Sequence, residues 1–445
     1  MPIRHLKRAV PRPAAENADV RETVREMLER IETEGETAVS AYAATLDRWS
    51  GPAVLGDEDR ARAIARVPEA DKALIRLAHD NIRRFAEAQK ATLQDCEIEL
   101  MPGHFAGQKQ IPVDSAGCYV PGGRYMHVAS ALMTITTARV AGVPKITAAS
   151  PPRPETGLPD AVVFAMDLAG ADRILNLGGV QGIAAMAFGL FGCEPAAILA
   201  GPGNSYVAEA KRQLFGRVGI DMFAGPTDSL VLADDTADPE IVAWDLVGQA
   251  EHGVDSPVWL ATTYRPLAEE VMRLVPALID SLPERNARLA RTAWTDRGEV
   301  VLCDTREEMV EVSEGYAPEH LHVQARDLDW WLDNLRTYGS LFLGQETTVA
   351  FGDKVSGPNH VLPTSGAARY TGGLSVQKFT RTVTWQRTDR AAMTELARAT
   401  AGISRGEGMA AHAASAEIRL EKLAGGDVEA GTVEGETPGR ASRVA

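Results

Sequence analysis

From residue 143 to residue 263 the chain alternates short apolar runs with helical stretches, and this rhythm narrows the fold more than any other feature. VPKITAAS (143–150), RILNLGG (173–179), AAILAGPGN (196–204), SLVLADD (229–235) and PVWLATT (257–263) read as strands. Between them PDAVVFAMDLAGA, QGIAAMAFGL (181–190), SYVAEAKRQLFG and PEIVAWDLVGQAEHG (239–253) carry helical periodicity. Strands that alternate with helices imply mostly parallel sheets. Two such runs, roughly 120–230 and 230–345, predict an α/β protein with two related, incomplete Rossmann-like domains and small helical extensions at both ends. The boundaries read as 1–18 for an N-terminal extension, 19–119 with 231–374 for a first α/β domain, 120–230 for a second, and 375–423 for a C-terminal extension. Residues 424–445 have no large apolar residues apart from valines and read as a disordered tail. Upstream, 19–49 places Val20, Val24, Met27, Leu28 and Ile31 on one helical stripe, and 69–92 reads as a second helix.

The bulk numbers exclude some functions. The net charge is −15 over 445 residues, which argues against a general binder of phosphate backbones. The four cysteines, Cys96, Cys118, Cys193 and Cys303, form no CxxC pair, so neither a disulfide framework nor a thiolate zinc site is expected. The N-terminal segment is basic but has no apolar core of a secretory signal, and no stretch has the ~18 apolar residues of a membrane helix. These features predict a cytoplasmic protein.

GxGxxG and GxxxxGK[ST] are both absent. Four other glycine loops stand in their place: YVPGGR (119–124), NLGGVQG (176–182), AGPGNSY (200–206) and FAGPTDS (223–229). Each alone is a tight turn as readily as a ligand loop. Together, at strand-to-helix junctions, they predict a nucleotide or pyrophosphate site.

Nine histidines are present, of which His5, His79 and His104 look incidental. GQAEHG puts Gln249 and His252 at i and i+3, on one helix face. APEHLH sets Glu319 beside His320 with His322 following, GDKVSGPNH supplies Asp353 and His360, and MAAHAAS supplies His412. Each has a bland reading as a surface or satisfied side chain. If they share an ion, nitrogen and oxygen donors without thiolates suit Zn²⁺ or Mn²⁺.

The segments YVPGG, GGVQGIAAMAFG, GPGNSYVAEAK, GRVGIDMFAGPTDSLVLAD, DLVGQAEH, APEHL, GDKVSGPNHVLPT and TGGLSV are long and collinear. Through them the chain resembles the histidinol dehydrogenase family from about residue 19 to about residue 422. The resemblance implies a homodimer with one Zn²⁺ per subunit that oxidises a primary alcohol through an aldehyde to a carboxylate with two NAD⁺. It implies Gln249, His252, Asp353 and His412 as metal ligands, His412 coming from the second subunit. The first α/β domain would then carry the metal and catalytic residues, the second would bind NAD⁺, and 375–423 would serve dimerisation. Glu319 and His320 would be the proton-transfer pair. Tyr119, Gln181 and Asn204 match cofactor-contacting positions, and His360, Glu407 and Thr227 match substrate-contacting ones.

The chain departs from the usual family pattern around the substrate. RYMHVAS follows the PGG turn, which adds Arg124, Tyr125 and His127 and puts Ala129 at a usual Ser position. GPTD replaces GPSE, and FTRT puts Arg381 where a Lys is usual. Arginine is the better planar fork for an oxyanion. With GCYVPGGRY, YGSLFLG, ARYTGGLSV and TVTWQ, these features are similar to the sulfopropanediol dehydrogenase branch of the family. That branch oxidises (R)-2,3-dihydroxypropane-1-sulfonate to (R)-3-sulfolactate, so Arg124, His127 and Arg381 become candidate substrate contacts. Histidinol is the alternative substrate, favoured by Glu407. A catalytically dead homologue, a zinc hydrolase and a one-step alcohol dehydrogenase are further alternatives; metal content, NAD⁺ binding and NADH per substrate separate them.

Overall fold

The computed structural model describes residues 4–11, 18–122, 125–222 and 225–424. In chain order its strands are β1 (Arg4–Lys7), β2 (Cys96–Met101), β3 (His104–Pro112), β4 (Ser115–Tyr119), β5 (Lys145–Ser150), β6 (Arg173–Asn176), β7 (Ile198–Ala200), β8 (Gly219–Ile220), β9 (Ser229–Ala233), β10 (Val258–Thr262), β11 (Glu299–Leu302), β12 (His320–Gln324), β13 (Ser340–Leu343) and β14 (Thr380–Thr388). The chain forms two compact units, Met1–Leu93 with Ile111–Arg381, and Gln94–Gln110 with Thr382–Ala445. Residues 425–445, nearly all of the expected tail, lie outside the described residues.

The larger unit holds two parallel sheets. One runs β6-β5-β4-β7-β8, the other β11-β10-β9-β12-β13 with β1 added antiparallel beside β11. Counted from its first strand in sequence, leaving β1 aside, each sheet has the order 3-2-1-4-5, the doubly wound arrangement. Strands β4 and β9, at the reversal points, are buried along their whole length. Such strands read as unbroken apolar runs because helices cover both faces.

Residues 18–91, grouped by the sequence reading with 231–374, pack as helices over the five-stranded sheet. Ala18–Glu34 lies against Gly179–Phe188 and Ser205–Leu214, while Glu69–Ala91 lies against Val128–Ala141. The stretch expected as one helix over 19–49 is broken at Gly35, whose φ of 61° favours glycine, and ends in a π-helical turn, Ala43–Asp47.

The smaller unit contains β2, most of β3 and β14, and two helices, Arg390–Gly406 and Ala410–Ala424. The helices pack through Ala397, Ala401 and Ala416, and Asp389 caps the first by accepting from Ala391 and Ala392 N–H at 2.9 Å. No described helix is long and apolar enough to cross a membrane.

Candidate active site

The three parallel strands β9, β12 and β13 start in register, with His320 opposite Ser229 and Ser340. Asp228 and Glu319 therefore meet at the amino-terminal edge of the sheet. β9 runs away from that edge and the helix Pro239–Ala250 runs back. The helix starts firmly, with Asp238 accepting from Glu240 N–H at 2.8 Å and Pro239 in its first turn. Its return brings Gln249 and His252 back to the edge where His320 lies.

Glu319 and Asp228 are both buried and bonded reciprocally. Glu319 N–H donates to Asp228 Oδ1 at 2.6 Å, and Asp228 N–H donates to Glu319 Oε2 at 3.2 Å. Ser365 N–H donates to Asp228 Oδ2 at 3.0 Å. Burial, with the negative charge of Asp228 next, pushes the Glu319 carboxyl well above the usual carboxylate range. Burial also raises Asp228, opposed by the backbone N–H groups of Glu319 and Ser365.

His320 N–H and Nδ1 both face the Asp228 carbonyl, at 3.2 and 3.4 Å. A carbonyl only accepts, so this contact favours the proton on Nδ1 and leaves the Nε2 lone pair available. Nε2 is buried, has no hydrogen-bond partner and lies 3.8 Å from Asp353 Oδ1. Burial drives the His320 pKa down to about 4 despite Asp353, so the ring is a neutral base at pH 7. His360 is oriented from both sides: Nδ1 donates to the Asp353 carbonyl at 2.9 Å, and Nε2 lies 3.0 Å from Ser130 Oγ.

Asp353 is the electrostatic centre. Burial works to raise its pKa, but a bond from His252 and the charges of His320, His360 and His252 outweigh it and hold the carboxylate far below its usual range. His252 Nε2 lies 3.6 Å from Asp353 Oδ2. Gln249, a helical turn before His252, has a buried Oε1 with no hydrogen-bond partner. Among the described residues no three His, Cys, Asp or Glu side chains form a ready metal-holding group. Still, an orphaned amide oxygen, an imidazole and an ionised carboxylate fit the donor set of a zinc-type cation.

The remaining candidates fall in several places. His127 precedes the helix Val128–Ala141 and is half-buried; burial, then the His360, Lys354 and His252 charges, push it down to about 4. Thr227 is half-buried beside Asp228 and bonds Glu319 through its side chain. Arg381 is exposed on β14. Glu407 and His412 are exposed residues of the smaller unit. Arg124 lies outside the described residues.

The cofactor candidates cluster at the opposite kind of edge, the carboxyl ends of β4, β6 and β7, where doubly wound sheets bind ligands. Tyr119 ends β4, and its hydroxyl accepts from Gly179 N–H at 3.0 Å. Asp47 accepts from Gly178 N–H at 2.9 Å and from Gln181 Nε2 at 2.8 Å. Asn204 caps the helix Ser205–Leu214, accepting from Tyr206 and Val207 N–H at 3.1 Å. Gly201 has φ 117° and comes so near β4 that a Cβ would lie 2.0 Å from the Tyr119 carbonyl oxygen. Its N–H goes to Asp221 Oδ2 at 2.8 Å, and the buried Lys211 bonds both Asp221 and the Gly201 carbonyl. The amides of Gly178, Gly179 and Gly201, expected from the sequence to cradle phosphates, are thus already taken by protein oxygens.

Sequence reasoning missed Asp47 and Asp228 as parts of these sites. The only local hint for Asp228 is an acid between a Gly-Pro turn and the apolar start of β9.

The chain thus carries two doubly wound sheets, with a buried Glu–His pair at the edge of one, an α/β arrangement of the kind dinucleotide-dependent oxidoreductases use. The histidinol dehydrogenase family model matches residues 10–420. The chain belongs to that family and is an NAD-dependent oxidoreductase acting on an alcohol. It is 64% identical to a histidinol dehydrogenase homolog of Ruegeria pomeroyi, over 95% of this chain and 98% of that one. It is 60% identical to sulfopropanediol 3-dehydrogenase of the same organism, over 95% and 97%. It is 38% identical to histidinol dehydrogenase of Gluconobacter oxydans, over 92% and 94%. The crystal structure of histidinol dehydrogenase from Elizabethkingia anophelis superposes with a TM-score of 0.87 at 33% identity, covering 94% of this chain and 95% of that one.

Proposed function

We propose that this protein oxidises (R)-2,3-dihydroxypropane-1-sulfonate through a bound aldehyde to (R)-3-sulfolactate, as a cytoplasmic homodimer using zinc and two NAD⁺. The observation that carries the substrate is the 60% identity to a sulfopropanediol 3-dehydrogenase, against 38% to a histidinol dehydrogenase. Arg124 and Arg381 supply the cationic groups a sulfonate needs. Four-electron oxidation of an alcohol to an acid is general to the family.

Gln249, His252 and Asp353 would hold Zn²⁺, with His412 of a second copy completing the set; the ion, when bound, orients the substrate through its heteroatoms. Tyr119, Gln181 and Asn204 would hold NAD⁺, which would supply the hydride acceptor for each oxidation. His320 takes the alcohol proton at Nε2, the only ring nitrogen its contact with Asp228 leaves open. Glu319 removes a proton from the water that adds to the aldehyde. Its raised pKa makes it a stronger base than an exposed carboxylate. His360, fixed by the Asp353 carbonyl and Ser130, and the neighbouring His127 line the substrate side, with Thr227.

Histidinol is the second reading, favoured by Glu407 at the position matched to imidazole contact. NADH formation decides between them. Zinc-loaded protein is offered each alcohol separately, and NADH per molecule is counted. Two NADH from the sulfonate and none from histidinol is the expected result. Turnover of histidinol alone would overturn the substrate assignment.

A further inference from the structure

We infer that Asp245 is a positioning residue that braces the metal-holding segments against each other, with His322 and Gln324 fixing the brace from behind. The inference rests on Gln249, His252 and Asp353 being metal donors.

Asp245 lies one turn before Gln249 on the helix Pro239–Ala250, on the same face. Its Oδ1 accepts from Thr348 Oγ1 at 2.7 Å. The Thr348 hydroxyl also accepts from Ala350 N–H at 3.3 Å and so caps the short helical turn Val349–Gly352. Asp353 follows that turn directly, its N–H bonded to the Val349 carbonyl at 2.9 Å. One carboxylate thus ties the helix that carries Gln249 and leads to His252 to the turn that delivers Asp353.

The other carboxylate oxygen faces β12. Oδ2 accepts from Gln324 Nε2 at 2.7 Å and lies 3.4 Å from His322 Nδ1. His322 Nε2 donates to the Gly344 carbonyl at 2.9 Å, which pins the start of the loop whose end Thr348 pins. His320, His322 and Gln324 alternate along β12 and share one face. His322 and Gln324 are fully buried, and the Asp245 side chain is nearly so. Neither His322 nor Asp245 has a role in the proposed chemistry. A buried carboxylate is costly unless its oxygens are bonded. Here both oxygens are bonded, one to the turn that leads to Asp353 and the other to β12, the strand that carries His320. Outer groups of this kind tune metal affinity by orienting the ligands.

The test is zinc affinity of the full-length protein, measured by competition with a chromophoric chelator and without any turnover assay. Thr348→Val removes only the hydroxyl, Thr348→Ser restores it, and Asp245→Asn sets an amide N–H₂ against Gln324. Thr348→Val and Asp245→Asn should each weaken Zn²⁺ binding roughly 10–100-fold. Thr348→Ser should keep wild-type affinity. The melting temperature of the metal-free form, measured in parallel, isolates a merely structural role, which would lower stability and leave zinc affinity unchanged. His252→Ala is the control. If it binds zinc like wild type, the ligand reading falls and takes the brace with it. If it loses zinc while Thr348→Val and Asp245→Asn bind normally, the brace alone is wrong.

Discussion

Asp228 and Glu319, 91 residues apart, each donate a backbone N–H to the other's carboxylate at the mouth of the six-stranded sheet. Asp228 holds His320 differently, through its main-chain carbonyl. A side-chain substitution therefore separates the two. Asp228→Ala should depress aldehyde oxidation more than alcohol oxidation, because the N–H groups of Glu319 and Ser365 lose their acceptor while the carbonyl that holds His320 remains. Single-turnover NADH formation from the alcohol and from the aldehyde reads the difference. Equal losses in a folded variant would contradict it.

Glu319→Gln keeps the shape and removes the base. The first oxidation should survive better than the second, with aldehyde accumulating. If trapping with a carbonyl reagent finds no aldehyde and both steps are lost together, Glu319 is not the water activator.

His252→Ala should abolish both zinc retention and turnover. Elemental analysis after gel filtration is the check, and normal zinc content in that variant would remove His252 from the ligand set.

The metal-free protein should lose stability in mild acid. His127 and His320 are neutral in the fold down to about pH 4, held there chiefly by burial, while the unfolded chain takes up protons near 6.5. Their contribution is complete above pH 6.5 and is lost as pH falls from 6.5 to 4, at about 1.4 kcal/mol per unit for each group at most. Glu319, raised by burial, works in the opposite sense: its contribution is lost as pH rises above the unfolded value of 4.5. Comparing urea midpoints of wild type and His127→Asn isolates the His127 part. Identical pH profiles would show that His127 is not held neutral by the fold.

Lys211 and Asp221 form a buried pair that anchors the Gly201 turn. Lys211→Met leaves the carboxylate unpaired in the interior and should cost about 3–5 kcal/mol. Denaturant unfolding measures this, and Asp221→Leu added to Lys211→Met should recover part of the loss. A neutral single variant would show the pair is solvated.

The two parallel sheets were legible because strands covered on both faces are short apolar runs with helices between them. β12 was not read as a strand, because HLHVQ alternates polar with apolar residues and one face is given to the site. The helix over 19–49 was overextended, since apolar spacing continues across Gly35. The grouping of Glu319, His320, Asp353 and His252 came from resemblance, and their spacing could not have supplied it. Asp47, Asp228 and Asp245 lay beyond reach for a different reason. Their partners Gln181, Glu319 and Thr348 stand 134, 91 and 103 positions away. Local periodicity carries no information about a hydrogen bond over such a distance.

The shared starting line of β9, β12 and β13 also bears on how the chain folds. His320 opens β12 and Glu319 immediately precedes it, and along a strand successive side chains point to opposite faces. A slip of β12 by a single residue would put the acid where the imidazole belongs and turn His322 and Gln324 toward the positions that Leu321 and Val323 hold in the core. The packing that specifies the register of β12 thus also specifies the site.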